Sequence, residues 1–158
     1  MRDDLLRYCD EALVAMRDMV VELGDQLANR RPDLPGANSP FAILTHCLGV
    51  CGYWASSVNL GRVVPRDRDA EFTATGPVAD LAARTDALRS DLASWFAAAE
   101  VDRPPANPPE GHSDDRDRAI VATQGSVLLH VYEELAQHRG QLELTRDVLR
   151  AGASGPAA

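Results

Sequence analysis

The last third of the sequence places imidazole and carboxylate groups at one-turn intervals. His130, Glu134 and His138 follow one another at four-residue steps. On an α-helix with about 3.6 residues per turn they form one slanting row. A carboxylate that faces a bundle core is costly unless it is paired, and both side-chain types are common ligands of divalent metals in bundles. The row indicates a metal site, although a solvated Glu134 beside a hydrogen-bonded core His138 would fit the same spacing.

A third candidate ligand, His46, lies between apolar residues of an earlier segment. If the two segments are neighbours, His46, Glu134 and His138 form a site with two histidines and one glutamate. Three protein ligands leave a fourth position open, as in catalytic zinc sites. Cys47 and Cys51 are an alternative pair of ligands one turn apart. Because both lie on an apolar stripe, where free Cys acts as a small apolar residue, we expect them in the core.

Four amphipathic helices are predicted to position these residues, because apolar residues recur at alternating steps of three and four. The first helix ends near Asn29, the second runs from the Ser39-Pro40 start to Gly61, the third begins at Gly76-Pro77, and the fourth spans Ala119 to Arg150. Long loops are expected over 62–76 and 101–118. Residues 1–150 are expected to form one all-α four-helix bundle, followed by a flexible tail over 151–158.

The composition excludes several functions. The chain has 158 residues, a net charge of −8 and 16 basic residues, all of them Arg. An acidic chain without a basic block is a poor nucleic-acid binder, and the lack of Lys excludes Schiff-base chemistry. No stretch approaches the roughly 18 apolar residues of a membrane span, and the acidic start is no signal peptide. Three cysteines form no disulfide framework, so we expect a cytoplasmic protein with reduced thiols and no membrane partner.

Two segments resemble a known family. The stretch SPFAILTHCLGVCGYW over 39–54 resembles the second-helix motif of the DinB-like family, which carries one metal-binding histidine. The stretch HVYEELAQHRGQLELTRDVL over 130–149 resembles the last helix of its actinobacterial branch. The matching positions are His130, Glu134, His138, Gly140, Gln141, Arg146 and Asp147. With glutamate at position 134, the motif is similar to that of the mycothiol-dependent maleylpyruvate isomerases and mycothiol S-transferases.

The resemblance implies a fold, a metal and a cosubstrate. It implies an up-down-down-up bundle that binds a divalent metal, most often zinc, through His46, Glu134 and His138. It also implies a low-molecular-weight thiol, mycothiol, as cosubstrate. The isomerase carries a further C-terminal domain that this sequence does not contain, so we expect a single-domain thiol S-transferase.

The residues support a mechanism for such an enzyme. A thiol that enters the open metal position would lose its proton, because the cation stabilises the thiolate. The thiolate could then attack a small electrophile. His130 is our candidate catalytic residue, supporting Glu134 or transferring a proton, although it could simply be exposed. Metal-dependent hydrolase, lyase or isomerase chemistry would use the same site, and a non-catalytic small-molecule-binding bundle is the third hypothesis.

Three further residues are candidates for substrate binding. Gln141 could hydrogen-bond a ligand or cap the site, and Trp54 could line the pocket or belong to the core. Arg62, with Arg66 and Arg68, could bind anionic groups or be solvated. An apolar helix face could also support a homodimer. Apart from Glu134, we expect 23 of the 24 acids on surfaces, in loops or at caps.

Overall fold

The protein is helical throughout the part of the chain that the computed structural model describes, residues 1–109 and 115–153. The elements are α1 (Arg2–Ala28), α2 (Pro40–Cys51) with a π-helical continuation (Gly52–Val58), α3 (Arg68–Glu71), α4 (Val78–Ala98), α5 (Asp115–Ile120) and α6 (Gln124–Ala153). The predicted all-α class is confirmed. Part of the predicted second loop (110–114) and most of the predicted tail (154–158) lie outside the described residues.

The start of α2 follows the expected capping chemistry. The Ser39 hydroxyl accepts a hydrogen bond of 3.1 Å from the amide of Ala42, and Pro40 occupies the first turn. Serine satisfies an otherwise unpaired amide there, and proline has no amide to leave unpaired. The helix that carries His46 therefore begins where the sequence predicts.

Helix α1 differs from the prediction of one regular helix. Gly24 adopts φ 68° and ψ 171° inside it, which kinks the helix. Glycine adopts this positive φ at little steric cost because it lacks a Cβ. The predicted end of the helix is confirmed, since Asn29 is its C-cap.

The predicted start of the last helix at Ala119 is wrong. A short helix, α5, ends at Ile120, and α6 begins only at Gln124. The amides of Gln124 and Gly125 donate to the carbonyls of Arg103 (2.7 Å) and Val101 (2.9 Å) in the preceding loop. These loop carbonyls satisfy amides that have no partner at a helix start, so tertiary contacts separate the two helices.

The predicted loop over 62–76 also needs correction, because it contains α3. The Asp67 side chain caps this short helix, accepting a hydrogen bond of 3.0 Å from the amide of Ala70. Glu71, the last residue of α3, is 6% exposed. The prediction that every acid other than Glu134 lies on a surface, in a loop or at a cap is therefore wrong for Glu71.

The long helices bury a common core. Helix α1 packs against α4 and α6, and α2 packs against α1, α4 and α6. The core is dominated by aliphatic side chains such as Leu13, Leu44, Leu92, Leu128, Leu135 and Leu142. Apolar area removed from water is the main stabilising contribution.

Polar contacts tie the ends of the helices together. Arg2 at the start of α1 donates to the carbonyl of Ala97 near the end of α4 (3.2 Å). Asn29 after α1 donates to the carbonyl of Gly76 before α4 (2.9 Å). Near the other end of the chain, Arg150 of α6 forms an ion pair of 2.7 Å with Glu22 of α1.

The helical stretch Pro40–Val58 is apolar and long enough to cross a membrane by length and composition. However, 83% of its apolar window is buried inside the protein. Burial of this kind is what a helix in the core of a helical bundle shows.

Candidate metal centre

Helices α2 and α6 bring together the three side chains predicted to bind a metal. His46 of α2 and Glu134 and His138 of α6 each offer one ligand atom, and these atoms lie within 4.8 Å of one another. The two imidazole rings meet edge to face with centroids 4.7 Å apart. The Nε2 atom of His138 lies 3.6 Å from Oε2 of Glu134. The predicted juxtaposition of the two helices at this point is present.

The donor set suits a divalent metal ion. Zinc binds imidazole nitrogen and carboxylate oxygen at about 2.0–2.2 Å, so two ligands of one tetrahedral ion lie about 3.3–3.6 Å apart. The three ligand atoms lie within 4.8 Å of one another, so small side-chain movements would bring them to this spacing. Two nitrogens and one oxygen match zinc and related transition metals better than magnesium or calcium, which prefer oxygen alone.

His46 is held from behind by a buried carboxylate that the sequence did not predict. Its Nδ1 lies 2.8 Å from Oε2 of Glu71. An ionised carboxylate only accepts hydrogen bonds, so Nδ1 carries the proton and Nε2 keeps its lone pair. Arg66 holds the same carboxylate, with Nε 2.7 Å from Oε1 and a terminal nitrogen 2.9 Å from Oε2. Asp67 is a local sign of α3, but no sequence pattern shows that Glu71 turns inward.

His138 is held in a similar way by a neutral group. Its Nδ1 lies 2.8 Å from Oε1 of Gln141, one turn further along α6. An amide oxygen is an acceptor, so this contact also places the proton on Nδ1 and leaves Nε2 for a metal. Gln141 itself is exposed, and it contacts a predicted ligand of the metal.

The electrostatics of His46 and Glu134 favour metal binding at neutral pH, whereas those of His138 favour a proton. Burial lowers the pKa of His46, although its hydrogen bond to Glu71 acts in the opposite direction. The nearby carboxylate of Glu134 raises the pKa of His138, so a proton competes with a metal for this ring. The same interaction lowers the pKa of Glu134. A neutral His46 and an ionised Glu134 are the protonation states that a metal ion requires.

His130 lies inside the protein beside the candidate ligands. It is 7% exposed, so it is not the exposed residue considered as an alternative. Its Nδ1 is 3.2 Å from Oε2 of Glu133, its Nε2 is 3.9 Å from Oε1 of Glu134, and its ring meets Trp54 edge to face at 4.7 Å. The Glu133 contact leaves Nε2 able to accept a proton.

A cavity of about 450 Å³ opens beside the candidate ligands. Its lining residues are His46, Val50, Tyr53, Trp54, Arg66, Arg68, His130 and Glu134. Tyr53 and Trp54 come from the π-helical segment, and π-helical turns are frequent at functional sites. Trp54 also packs against the core cluster, so both roles considered for it apply. Arg62 is exposed and is not among the lining residues in the described chain, whereas Arg66 and Arg68 are.

Comparison with known proteins supplies the family. A family model described as mycothiol S-transferase matches residues 4–151, nearly the whole chain. The chain belongs to the mycothiol S-transferase family. A search of the curated proteins finds no match. The family match confirms the resemblance to the mycothiol-dependent branch and connects this bundle with a thiol substrate.

The cysteines of this mycothiol S-transferase family member lie in the core. Cys9, Cys47 and Cys51 are free and buried, and the Cys47 sulfur lies 3.8 Å from the sulfur of Met16. Burial raises the pKa of all three thiols, that of Cys9 to about 12. The thiolate is the form that binds metals and reacts with electrophiles. The expectation that these cysteines are core residues is confirmed.

Proposed function

We propose that this protein is a metal-dependent thiol S-transferase that joins a low-molecular-weight thiol, mycothiol or a close relative, to a small electrophile. The observation that carries the proposal is the convergence of His46, Glu134 and His138 beside an open cavity. The family match supports the thiol. We propose zinc as the metal, because two neutral imidazoles and one carboxylate leave it a net positive charge and an open position.

The metal would supply one part of the chemistry and the chain the rest. A cation held by these three residues lowers the pKa of a thiol that binds to it. We assign His130 as the group that takes the thiol proton, because its Nε2 accepts protons and faces Glu134 at 3.9 Å. The sulfur then forms a carbon–sulfur bond as the bond to the leaving group breaks. The leaving group departs with the electron pair and receives a proton from His130 or water.

The remaining cavity residues would orient the reactants. Trp54 and Tyr53 provide an aromatic wall that excludes water from the reacting atoms. Arg68 takes the role that the sequence suggested for Arg62, because it lines the cavity, with its guanidinium 5.4 Å from the centre of the Phe72 ring. We propose that it binds an anionic group of the thiol or the electrophile. Gln141 acts on His138 and thereby orients that ligand.

The wider setting completes the proposal. We propose the up-down-down-up order for the long helices, supported by the contacts of α1 with α4 and α6 described above. We also propose one domain over 1–150, a cytoplasmic location, an actinobacterial source, and small molecules rather than nucleic acid or membrane as partners. A homodimer stays a prediction.

Consumption of thiol and electrophile by the purified protein tests the function. Mycothiol, with cysteine as a second thiol, is mixed with an alkylating electrophile such as monobromobimane, before and after removal of metal by a chelator. We expect thioether formation faster than in a reaction without protein, and we expect a chelator to abolish this acceleration and added zinc to restore it. Metal-dependent turnover of an ester or amide without thiol would favour the hydrolase hypothesis. A metal-loaded protein that turns over neither would favour a non-catalytic binding protein.

A further inference from the structure

The structure supplies His46 with a partner on each side of its ring. Phe72 stacks on one face with centroids 4.7 Å apart and planes at 28°, while His138 meets the ring at 79°. The third partner is Glu71, whose Oε2 lies 2.8 Å from Nδ1. These contacts leave the imidazole one orientation, in which Nε2 is the atom available to the metal.

We propose that Glu71 is a positioning residue that fixes the tautomer and orientation of His46 and thereby sets the metal affinity of the site. The inference rests on the metal centre of the proposed function. Metal-ligating histidines commonly donate their second ring nitrogen to a carboxylate, which orients the ring and increases its basicity. Glu71 is buried and makes this contact from α3, an element separate from both helices that carry the ligands.

Arg66 fixes Glu71 in turn. Two guanidinium nitrogens bind the two carboxylate oxygens, and paired bonds of this kind define the plane as well as the position of a carboxylate. The side chain of Arg66 is 15% exposed and that of Glu71 is 7% exposed. Because Arg66 also lines the cavity, the pair connects the cavity wall with the back of His46.

Gly49 provides the space in which this pair lies. It follows His46 by three residues on α2, so the two positions share a face of the helix. A Cβ at position 49 would overlap Oε1 of Glu71 and lie 2.6 Å from its Cδ and 3.1 Å from Nε of Arg66. Helix α2 therefore carries both the candidate ligand His46 and the glycine that leaves room for the carboxylate of Glu71.

Two variants test the proposal through metal affinity rather than activity. Glu71→Met keeps the length of the side chain and removes both the charge and the oxygen that accepts the His46 hydrogen bond. Gly49→Ala keeps the carboxylate and displaces it. Zinc affinity is measured by competition with a chromophoric chelator, and the absorption spectrum of the cobalt-loaded protein reports ligand geometry. We expect both variants to bind zinc about 10- to 100-fold more weakly than the wild type.

Glu22→Met is the matched control, because it removes a carboxylate that pairs with an arginine on the surface, Arg150. Its zinc affinity should equal that of the wild type. Alanine favours a helix more than glycine does. A less stable α2 therefore does not explain a loss of zinc affinity in Gly49→Ala. An unchanged zinc affinity and cobalt spectrum in folded Glu71→Met would overturn the proposal.

A measurement on the metal-free wild type decides the matter if the variants fail to fold. Nitrogen-15 chemical shifts of the imidazoles identify the tautomer, with His46 assigned by the signals lost in His46→Gln. We expect His46 as the Nδ1–H tautomer, and the Nε2–H form would overturn the proposal. Zinc binding without thiol transfer would reject the proposed function alone. Absence of zinc binding would reject both the metal centre and the proposed effect of Glu71 on metal affinity. The tautomer would still report whether Glu71 positions His46.

Discussion

The imidazole rings of His46 and His138 lie edge to face with centroids 4.7 Å apart, although they come from the second and the last of the long helices. The Nδ1 atom of each ring lies 2.8 Å from an oxygen of a different residue, Glu71 or Gln141. Both Nε2 atoms are therefore available to one ion together with Glu134. This pairing is the basis of the first prediction.

Removal of a candidate ligand should remove the metal. His138→Ala and His46→Ala should reduce the metal content of purified protein from stoichiometric to background, because a single remaining imidazole and Glu134 bind too weakly. Elemental analysis by mass spectrometry gives the metal-to-protein ratio. His130→Ala is the control, since His130 is not in the group of candidate ligands among the described residues. Equal metal content in all three variants would show that the metal is bound elsewhere.

Replacement of His130 should slow thiol transfer without removing the metal. His130→Gln should retain the metal but lower kcat by about 100-fold or more, since general acid–base groups commonly contribute that much. Steady-state kinetics of thiol transfer measure the change. A variant with wild-type kcat would assign the proton transfer to another group.

Arg68 should favour the binding of reactants that carry a negative charge. Arg68→Gln should raise KM for an electrophile that bears a carboxylate and leave KM for a neutral electrophile of the same size unchanged. An interaction of this kind, partly exposed to solvent, is worth about 0.5–1 kcal/mol, or a few-fold in KM. Arg62→Gln is the matched control, because Arg62 is an exposed arginine outside the cavity lining. If the two variants behave alike, neither arginine contacts the charged group.

The buried thiols should react slowly with thiol reagents, and their burial should lower the stability of the fold at alkaline pH. A thiol reagent at neutral pH should label the native protein slowly and label Cys9, Cys47 and Cys51 quickly after unfolding. Burial raises the pKa of Cys9 from 9.0 to about 12. Unfolded chains therefore lose the proton first, and stability should fall as pH rises from about 9 towards 12. Denaturant unfolding at increasing pH measures this loss, and the slope should be smaller in Cys9→Ala.

The row on α6 could be predicted from the sequence because it depends on local geometry alone. His130, Glu134 and His138 are spaced by helical turns, so a helix places them together whatever surrounds it. Ser39-Pro40 likewise predicts the start of α2, since a cap is satisfied within one turn. The choice of His46 as the third ligand needed the condition that α2 and α6 are neighbours, which the structure fulfils.

Only the tertiary structure decided how the site is supported and where α6 begins. Glu71 reads as one more acid in a polar loop, and its burial depends on the gap at Gly49 and on the position of Arg66. The break before Gln124 depends on carbonyls of Val101 and Arg103. Helical periodicity follows from the geometry of the backbone, so a short segment of sequence is enough to predict which residues share a helix face. Contacts between distant segments follow from the packing of the whole core, which no local pattern specifies.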